Sequence, residues 1–289
     1  VMLSLELDQE IMKDSARIRD ARSAVFIQCV GSRIPERPYC SKVCCTHSIH
    51  RALTLKRLQP DMNIFILYRD IRTFGDREDL YTEARDNGIL FIRYDLDNKP
   101  KVEKENGRLK VTVTDHVLQR PVEISPDIIC LATAILPSDN ISLSKLYKVS
   151  ATEEGFFLEA HMKLRPVDFA TDGIFLAGLC HYPKPIEESI AQAKAASARA
   201  AGILMKDTIE IEPIVSVVDP EICRGCGICE RVCPFGAIHV VEVNGVKQAQ
   251  NTPASCKGCG LCAASCPSKA VDMCHFSQQQ IKAQICALA

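Results

Sequence analysis

The sequence lacks the charge excess and the long apolar runs that define several common protein classes. Its 289 residues carry 35 basic and 36 acidic side chains, and a net charge of −1 argues against a protein that coats the phosphates of a nucleic acid. It contains no run of about 18 apolar residues, so we expect no segment that inserts into a membrane. The N-terminus carries early acidic residues without a signal-peptide pattern, which predicts a cytoplasmic protein.

A glycine-rich dinucleotide loop, G-x-G-x-x-G, is also missing, although the first part of the chain alternates strands and helices in the order of a nucleotide-binding fold. The βαβαβ order predicts a parallel sheet with helices on its faces. Three later short strands predict an antiparallel meander on the edge of that sheet, before a further apolar strand. In chain order the predicted segments are strand 24–28, helix 41–58, strand 63–68, helix 77–87, strand 89–94, meander strands 101–103, 108–113 and 122–124, and strand 127–132.

The remaining segments are more irregular. Residues 1–22 are polar and helix-permissive, which is typical of a linker or docking helix. Residues 173–178 predict a strand that runs into a turn, and 186–205 predict a long Ala-rich helix. Residues 210–218 predict a linker and a strand, and 276–288 predict an amphipathic C-terminal helix.

Cysteine is abundant, with 16 residues. Secreted disulfide scaffolds reach such numbers, but they are short chains. Eight of the 16 cysteines lie between Cys223 and Cys266, and four more lie between Cys29 and Cys45. Clustered cysteines in a long chain without a signal sequence indicate metal ligands in a reducing compartment.

The later cysteines form a duplicated motif. Residues 222–234 and 255–267 both contain the run C-x₂-C-x₂-C-x₃-C-P, and the run repeats with a period of 33 residues. In the bacterial ferredoxin pattern, three thiolates of each run bind one 4Fe–4S cluster and the fourth binds the other. A zinc ribbon is the alternative, but it needs only two C-x₂-C pairs. The predicted ligand sets are Cys223, Cys226, Cys229 and Cys266 for one cluster, and Cys256, Cys259, Cys262 and Cys233 for the other.

A second group of cysteines, Cys29, Cys40, Cys44 and Cys45, follows the first predicted strand. A phosphate-binding loop would occupy this strand-to-helix turn in a dinucleotide-binding fold. The spacing alone leaves three interpretations open, namely a metal site, a redox-active thiol pair, or buried small side chains. His47 and His50 are possible further ligands, although histidines on such a helix are more often surface residues. Three other cysteines are assigned to the core (Cys130, Cys274) and to a helix face (Cys286).

Over residues 23–289 the chain resembles the C-terminal part of the A-type subunit of heterodisulfide reductase, a flavin- and cluster-bearing protein of methanogens and related anaerobes. The resemblance lies in several long segments besides the ferredoxin runs. These are CVGSR at 29–33, YCSKVCC at 39–45, DIRTFG at 70–75, GFFLEAH at 155–161 and ATDGIFLAG at 170–178.

The resemblance implies an α/β fold, with a thioredoxin-reductase-like parallel-sheet domain that carries an antiparallel meander, followed by an α+β two-cluster ferredoxin domain of bacterial type. It also implies that Cys29, Cys40, Cys44 and Cys45 hold a third 4Fe–4S cluster. Arg33, Asp70 and Arg72 could line the flavin or cluster pocket, or form loop salt bridges. The expected domains are 1–22 as linker or docking helix, 23–136 as degenerate nucleotide-binding domain with the cluster, 137–208 as FAD-domain segment, 209–275 as ferredoxin domain and 276–289 as C-terminal helix.

The family also binds FAD, and its pyrophosphate loop belongs to an N-terminal stretch that this sequence does not contain. The resemblance therefore implies a flavin shared with another polypeptide or with a missing N-terminal half. A helix N-terminus aimed at the flavin would stabilise its anionic reduced form. Alternatively, the helix after residue 185 simply packs on the sheet. The implied FAD contacts are Ala177, Gly178, Leu179, Cys180, Ile186, Glu187 and Ser189.

By resemblance, the chain is part of an oxidoreductase that is active only as a complex, and it has no catalytic residue of its own. FAD would split electron pairs and pass single electrons through the clusters, which is flavin-based electron bifurcation. The implied partners are heterodisulfide reductase B- and C-type subunits and an electron donor of hydrogenase, formate dehydrogenase or deazaflavin-oxidoreductase type. The alternatives are a homologous component of a membrane-associated quinone-interacting or aromatic-ring-reducing complex, and a simple ferredoxin-like carrier.

Overall fold

The computed structural model describes residues 1–208 and 213–288. The chain divides into two compact units, Val1–Met205 and Lys206–Ala289. The expected domain boundary at residue 209, and the start of the linker and strand expected at 210–218, lie outside the described residues.

The first unit contains a parallel sheet, a separate antiparallel sheet and helices. In chain order its elements are β1 (Met2–Leu3), α1 (Ser4–Met12), α2 (Ala16–Arg19), β2 (Ser23–Val30), α3 (Cys44–Leu58), β3 (Asn63–Tyr68), α4 (Glu78–Asp86), β4 (Leu90–Arg93), β5 (Lys101–Glu105), β6 (Arg108–Asp115), β7 (Arg120–Ile124), β8 (Ile128–Thr133), α5 (Ile141–Tyr147) and α6 (Ile186–Leu204), with 3₁₀ turns at Gly75–Arg77 and Gly178–Cys180.

The predicted parallel sheet is confirmed. It has five strands in the order β1-β8-β2-β3-β4, and β2 lies at its centre. Side chains alternate across β2, so Phe26 packs on the side of α3 while Val25 and Ile27 pack on the opposite face. A strand that is apolar on both faces belongs in the middle of such a sheet, because both faces must be covered.

The antiparallel meander forms a sheet of its own, in the order β5-β6-β7, rather than extending the edge of the parallel sheet as expected. Val111, Val113 and Ile124 of the meander share one buried core with Val25 and Ile27 of β2. The meander therefore covers the face of the parallel sheet opposite to α3. The sequence pattern predicted its strands but not the face on which they pack.

Residues 1–22, expected to be a linker or docking helix, are part of the first unit's core. β1 pairs in parallel with β8, with Met2 opposite Cys130. Leu7 of α1 and Ile18 of α2 are 0% and 1% exposed. A few apolar side chains among polar neighbours are enough to pack two short helices against the core. The mostly polar composition of this segment did not indicate that packing.

The segment that precedes and includes α6 has little regular structure before the helix begins. The strand expected at 173–178 is reduced to a single bridge between Asp168 and Phe175, and the backbone turns into a 3₁₀ helix at Gly178. A small core of Val149, Phe157, Phe169 and Leu176 holds the segment. The expected long helix is present as α6, and it has no buried residue within this chain.

The second unit contains two antiparallel strand pairs, β10 with β11 and β9 with β12. None of the helices within the described ranges has the length and apolar character needed to cross a bilayer. The elements are β9 (Ser216–Val218), α7 (Ile228–Val232), β10 (Ile238–Val243), β11 (Val246–Asn251), α8 (Leu261–Ala264), β12 (Val271–Met273) and α9 (Gln278–Leu288), with a 3₁₀ turn at Pro253–Ser255.

The packing of the N-terminal segment predicts how substitutions there affect stability. Leu7→Ala should destabilise the first unit by about 2–5 kcal/mol, because it leaves a cavity in a closed core. Leu5→Ala on the same helix is the matched control, since Leu5 is 74% exposed, and it should change stability by no more than about 0.5 kcal/mol. Denaturant unfolding followed by circular dichroism measures both, and equal effects would contradict the placement of α1 in the core.

Candidate functional site

The two ferredoxin runs fold into matching loops. Gly227 and Gly260 take positive φ angles of 74° and 75° and begin the short helices α7 and α8. Gly258 has a φ of 65°, and a Cβ there would lie 2.5 Å from the carbonyl oxygen of Ile214. Gly225 is crowded in the same way by the carbonyl of Lys247. Each loop therefore requires glycine where its backbone passes against a neighbouring backbone.

Each loop borders a void lined by four cysteines. One void is lined by Cys256, Cys259, Cys262 and, from the other run, Cys233. The other void has the reciprocal set: Cys223, Cys226, Cys229 and Cys266. The structure thus brings together both four-cysteine sets that the ferredoxin pattern predicts, including the exchange of the fourth cysteine.

Backbone amides hold the sulfur atoms in these loops. The amide nitrogens of Ala237 and Ala270 each lie 3.3 Å from the Sγ of the cysteine four residues earlier, Cys233 and Cys266. Ala249 N donates to Cys223 Sγ at 3.3 Å, and Ser216 N lies 3.5 Å from Cys256 Sγ. Donors of this kind stabilise thiolates and are a feature of iron–sulfur sites.

Burial and hydrogen bonding act against each other on these thiols. Burial alone would raise the pKa of Cys256, but hydrogen bonds from the backbone at Ser216 and Gly258 outweigh it, so the pKa lies below its ordinary value. Burial also acts to raise the pKa of Cys266, and hydrogen bonds from the Ser268 side chain and the backbone at Ala270 lower it overall. The charged, ligating form of both sulfurs is therefore favoured by the surrounding groups.

Among the described residues, no group of three or more His, Cys, Asp or Glu is arranged as ligands of a single metal ion.

The first unit brings Cys29, Cys40, Cys44 and Cys45 together. Cys29 lies near the end of β2 with a positive φ of 58°, at a register shift between Ile27 and Val30. Cys44 and Cys45 lie in the first turn of α3. Cys40 Sγ accepts a hydrogen bond from the amide nitrogen of Lys42 at 3.3 Å. The Cys44 side chain is hydrogen-bonded to Cys45, and Cys29 and Cys40 lie near enough to interact with it electrostatically. The four thiols therefore form one cluster of interacting groups.

Two arginines lie near this cluster. The hydrogen bond with Cys44 and, more weakly, the neighbouring Arg72 and Arg33 lower the pKa of Cys45 below its ordinary value, although burial opposes the shift. Arg33 Nη2 also pairs with Asp70 Oδ2 at 2.5 Å. The sequence left two roles open for these charged residues, to line a pocket or to form loop salt bridges. Arg33 has both roles, because it pairs with Asp70 and also acts on the Cys45 thiol.

Several buried polar atoms beside these cysteines have no hydrogen-bond partner among the described residues. They are both side-chain polar atoms of Gln28, the hydroxyl of Ser48 and Nη1 of Arg33. Buried polar groups are nearly always paired. Together with four converging thiols, these atoms fit a bound group that offers acceptor sulfurs, as an iron–sulfur cluster does.

The histidines considered as extra ligands lie elsewhere. His47 Nε2 pairs with Asp8 Oδ2 at 3.0 Å, and His50 is exposed. Both line an open groove with Arg77, Pro185 and Ile186. Of the remaining cysteines, Cys130 is buried as expected, Cys274 is half-buried, and Cys286 is exposed on α9.

The residues expected to contact FAD form an exposed turn and the start of α6. Leu179 and Ile186 are 50% and 76% exposed, and Cys180 is also exposed. The Cys180 thiol donates to the carbonyl oxygen of Ala177. These residues also form hydrogen bonds from Gly178 N to Gln192 Oε1 at 2.9 Å and from Ser189 Oγ to Pro185 O at 3.1 Å, and Glu187 pairs with Arg77.

A polar network beneath this turn was not anticipated from the sequence. The half-buried His181 pairs with Glu159 at 2.8 Å through Nε2 and with Gln192 at 2.7 Å through Nδ1. Lys184 Nζ, largely buried, donates to Gly178 O at 2.9 Å. Burial lowers the pKa of Lys184. The network fixes both backbone polar groups of Gly178, and no spacing pattern in the sequence indicates it.

Residues 222–270 match the family model of a 4Fe–4S dicluster domain. The chain is 46% identical over 228 residues to an A-type iron–sulfur subunit of CoB–CoM heterodisulfide reductase from Methanopyrus kandleri, covering 76% of this chain and 34% of that protein. It is 44% identical over 275 residues to a protein of Archaeoglobus profundus that is named as like the A-type subunit of heterodisulfide reductase, with coverages of 94% and 39%.

A third relative is the A-type subunit of the H₂:CoB-CoM heterodisulfide,ferredoxin reductase of Methanothermobacter marburgensis, 42% identical over 285 residues, with coverages of 96% and 42%. The chain therefore spans less than half the length of these curated relatives. Among solved structures, thioredoxin reductase of T. acidophilum matches 65% of this chain and 53% of its own chain, at 15% identity and a TM-score of 0.42.

The glycine geometry predicts different outcomes for two neighbouring substitutions. Gly258→Ala should abolish one cluster, since its Cβ meets the Ile214 carbonyl at 2.5 Å, and iron content should fall by about four atoms per chain. Gly260→Ala has nothing within 4 Å of the added Cβ, so it should keep its iron despite the strain of roughly 1 kcal/mol at positive φ. Iron analysis of anaerobic protein distinguishes them, and full iron in Gly258→Ala would refute the close-approach argument.

Proposed function

The chain belongs to the family of heterodisulfide reductase A-type subunits, and we propose that it is an electron-transfer part of a heterodisulfide-reductase-type complex. It spans 34% to 42% of the length of the three relatives described above. The observation that carries the proposal is the exchange of Cys233 and Cys266 between two cysteine-lined voids. This arrangement suits two adjacent 4Fe–4S clusters and no single-ion site of ordinary size.

Three clusters are proposed in all. Bound 4Fe–4S clusters accept and release single electrons at potentials set by their surroundings. Backbone amides hold the sulfurs of the second unit in place, and the glycine loops bring the main chain close. This chain's part is to supply the ligands, which are Cys223, Cys226, Cys229 and Cys266 at one site, Cys233, Cys256, Cys259 and Cys262 at the next, and Cys29, Cys40, Cys44 and Cys45 in the first unit.

FAD is proposed as the further cofactor. The turn Gly178–Cys180 and the N-terminus of α6 would contact its ring, and residues outside this chain would hold its pyrophosphate. Two features support this. Lys184 and Gln192 fix both backbone groups of Gly178, which gives a rigid turn. Helix α6 has no buried residue in this chain, so one of its faces is available to whatever completes the flavin site.

The relatives named CoB–CoM heterodisulfide reductases give the proposed reaction, the reduction of a mixed disulfide by partner subunits. We propose that electron pairs enter at the flavin and leave singly, one toward the disulfide and one toward a low-potential acceptor. B- and C-type subunits, and a hydrogenase-, formate dehydrogenase- or deazaflavin-dependent donor, are the proposed partners. In this scheme the chain binds the cofactors and contributes no catalytic side chain.

The third cluster can be tested by cysteine replacement. Cys45→Ser should lower the iron content from about twelve to about eight atoms per chain, because it removes one ligand of one 4Fe–4S site. Cys286→Ser is the control, since this cysteine is exposed on α9, and it should keep all the iron. A Cys45→Ser protein with an unchanged iron content and an unchanged electron paramagnetic resonance spectrum would eliminate the third site.

The shared flavin makes a separate prediction. The chain expressed alone should retain less than stoichiometric FAD after gel filtration, because it lacks a dinucleotide-binding glycine loop. Co-expression with the remaining portion of a homologous A-type protein should restore about one flavin per chain, measured by absorbance after denaturation. Full FAD retention by the isolated chain would show that the site is not shared.

A further inference from the structure

Gln28 is a fully buried amide whose nitrogen and oxygen both lack a hydrogen-bond partner among the described residues. It immediately precedes Cys29 in β2. Burial of an unpaired amide is unfavourable, because hydrogen bonds to water are lost and none replaces them. A side chain of this kind therefore points to a partner that is not part of the polypeptide.

Gln28 lies beside the thiols. It directly precedes Cys29, at the register shift between Ile27 and Val30 where the regular alternation of β2 is interrupted. Cys29 interacts with Cys45 in the first turn of α3. The Gln28 amide is therefore buried in the part of β2 that carries the thiol cluster. Its backbone is fixed there, because Tyr94 donates from its hydroxyl to Gln28 O at 2.5 Å.

Ser48 approaches the same cysteines from the helix. It is 1% exposed, and its hydroxyl also has no partner among the described residues. Ser48 is four residues after Cys44 and three after Cys45, so all three side chains share one face of α3. A buried helical serine ordinarily bonds to the carbonyl one turn earlier, and this one does not. Two orphaned donors, from two different elements, thus neighbour the thiols along the chain: Gln28 directly precedes Cys29, and Ser48 is one helical turn after Cys44 and Cys45.

We propose that the Gln28 amide and the Ser48 hydroxyl donate hydrogen bonds to sulfur atoms of the cluster held by Cys29, Cys40, Cys44 and Cys45, and so raise its reduction potential. The inference rests on the third cluster of the proposed function. A donor to sulfur stabilises the reduced cluster more than the oxidised one, because the reduced cluster carries one more negative charge. The donors therefore make this cluster easier to reduce by one electron.

The test is a redox titration of the cluster-loaded full chain, followed by electron paramagnetic resonance. Gln28→Leu replaces the amide with an apolar side chain of similar size and so removes the hydrogen-bond donor. One of the three cluster signals should shift to lower potential, with about a tenfold change in the ratio of oxidised to reduced cluster, equal to about 59 mV for a one-electron couple. The other two signals should stay unchanged. Ser48→Ala should shift the same signal in the same direction.

Gln59→Leu is the matched control. Its amide donates to the carbonyls of Ile18 and Arg19, away from the cysteines, so its loss should shift no cluster potential. Unchanged potentials in Gln28→Leu with full iron content would overturn the inference, and would indicate a buried water as the partner instead. If Gln28→Leu loses iron, Ser48→Ala decides, because it removes only a hydroxyl. A lowered potential then supports the inference and an unchanged one refutes it.

The failure of this inference can be separated from failure of the third cluster. A full iron content in Cys45→Ser would refute the third cluster, and with it the proposed hydrogen bonds to its sulfur atoms. If Cys45→Ser loses about four iron atoms per chain while Gln28→Leu keeps its iron and its potentials, the third cluster stands and only the proposed hydrogen bonds are refuted.

Discussion

Close approach of the main chain to sulfur is the constraint on which the second unit depends. A thiolate is stabilised by backbone amides that donate to its sulfur. Amides four residues after the fourth cysteine of each run donate to that sulfur at equal distances. Gly258 meets the Ile214 carbonyl and Gly225 meets that of Lys247, so a Cβ is excluded where each loop packs against neighbouring backbone. The loops thus depend on main chain that packs closely, against other main chain at the glycines and against sulfur at the amides.

This requirement explains why the ferredoxin site could be predicted in detail. Each run is local, since its cysteines, glycines and proline lie within a short stretch of the chain and repeat after 33 residues. The four-cysteine sets around the two voids follow directly from that pattern. The parallel sheet was equally predictable, because the apolar run of β2 is buried on both faces. Each of these features is encoded by neighbours in sequence.

Features that depend on distant contacts were predicted less well. The meander strands were correct, but their packing on the sheet face depends on Val111 meeting Val25. The first 22 residues looked polar, yet Leu7 and Ile18 are buried in the core of the sheet. The strand expected at 173–178 found no neighbouring strand and formed one bridge. The polar network beneath Gly178 joins residues with no recognisable spacing.

The exchange of Cys233 and Cys266 between the two voids has a consequence for assembly of the protein. Neither run supplies all four cysteines of one void, so each four-cysteine set is complete only when both runs are folded. The two copies of the motif are therefore interdependent, and neither copy could be transplanted alone into another chain as a complete four-cysteine site.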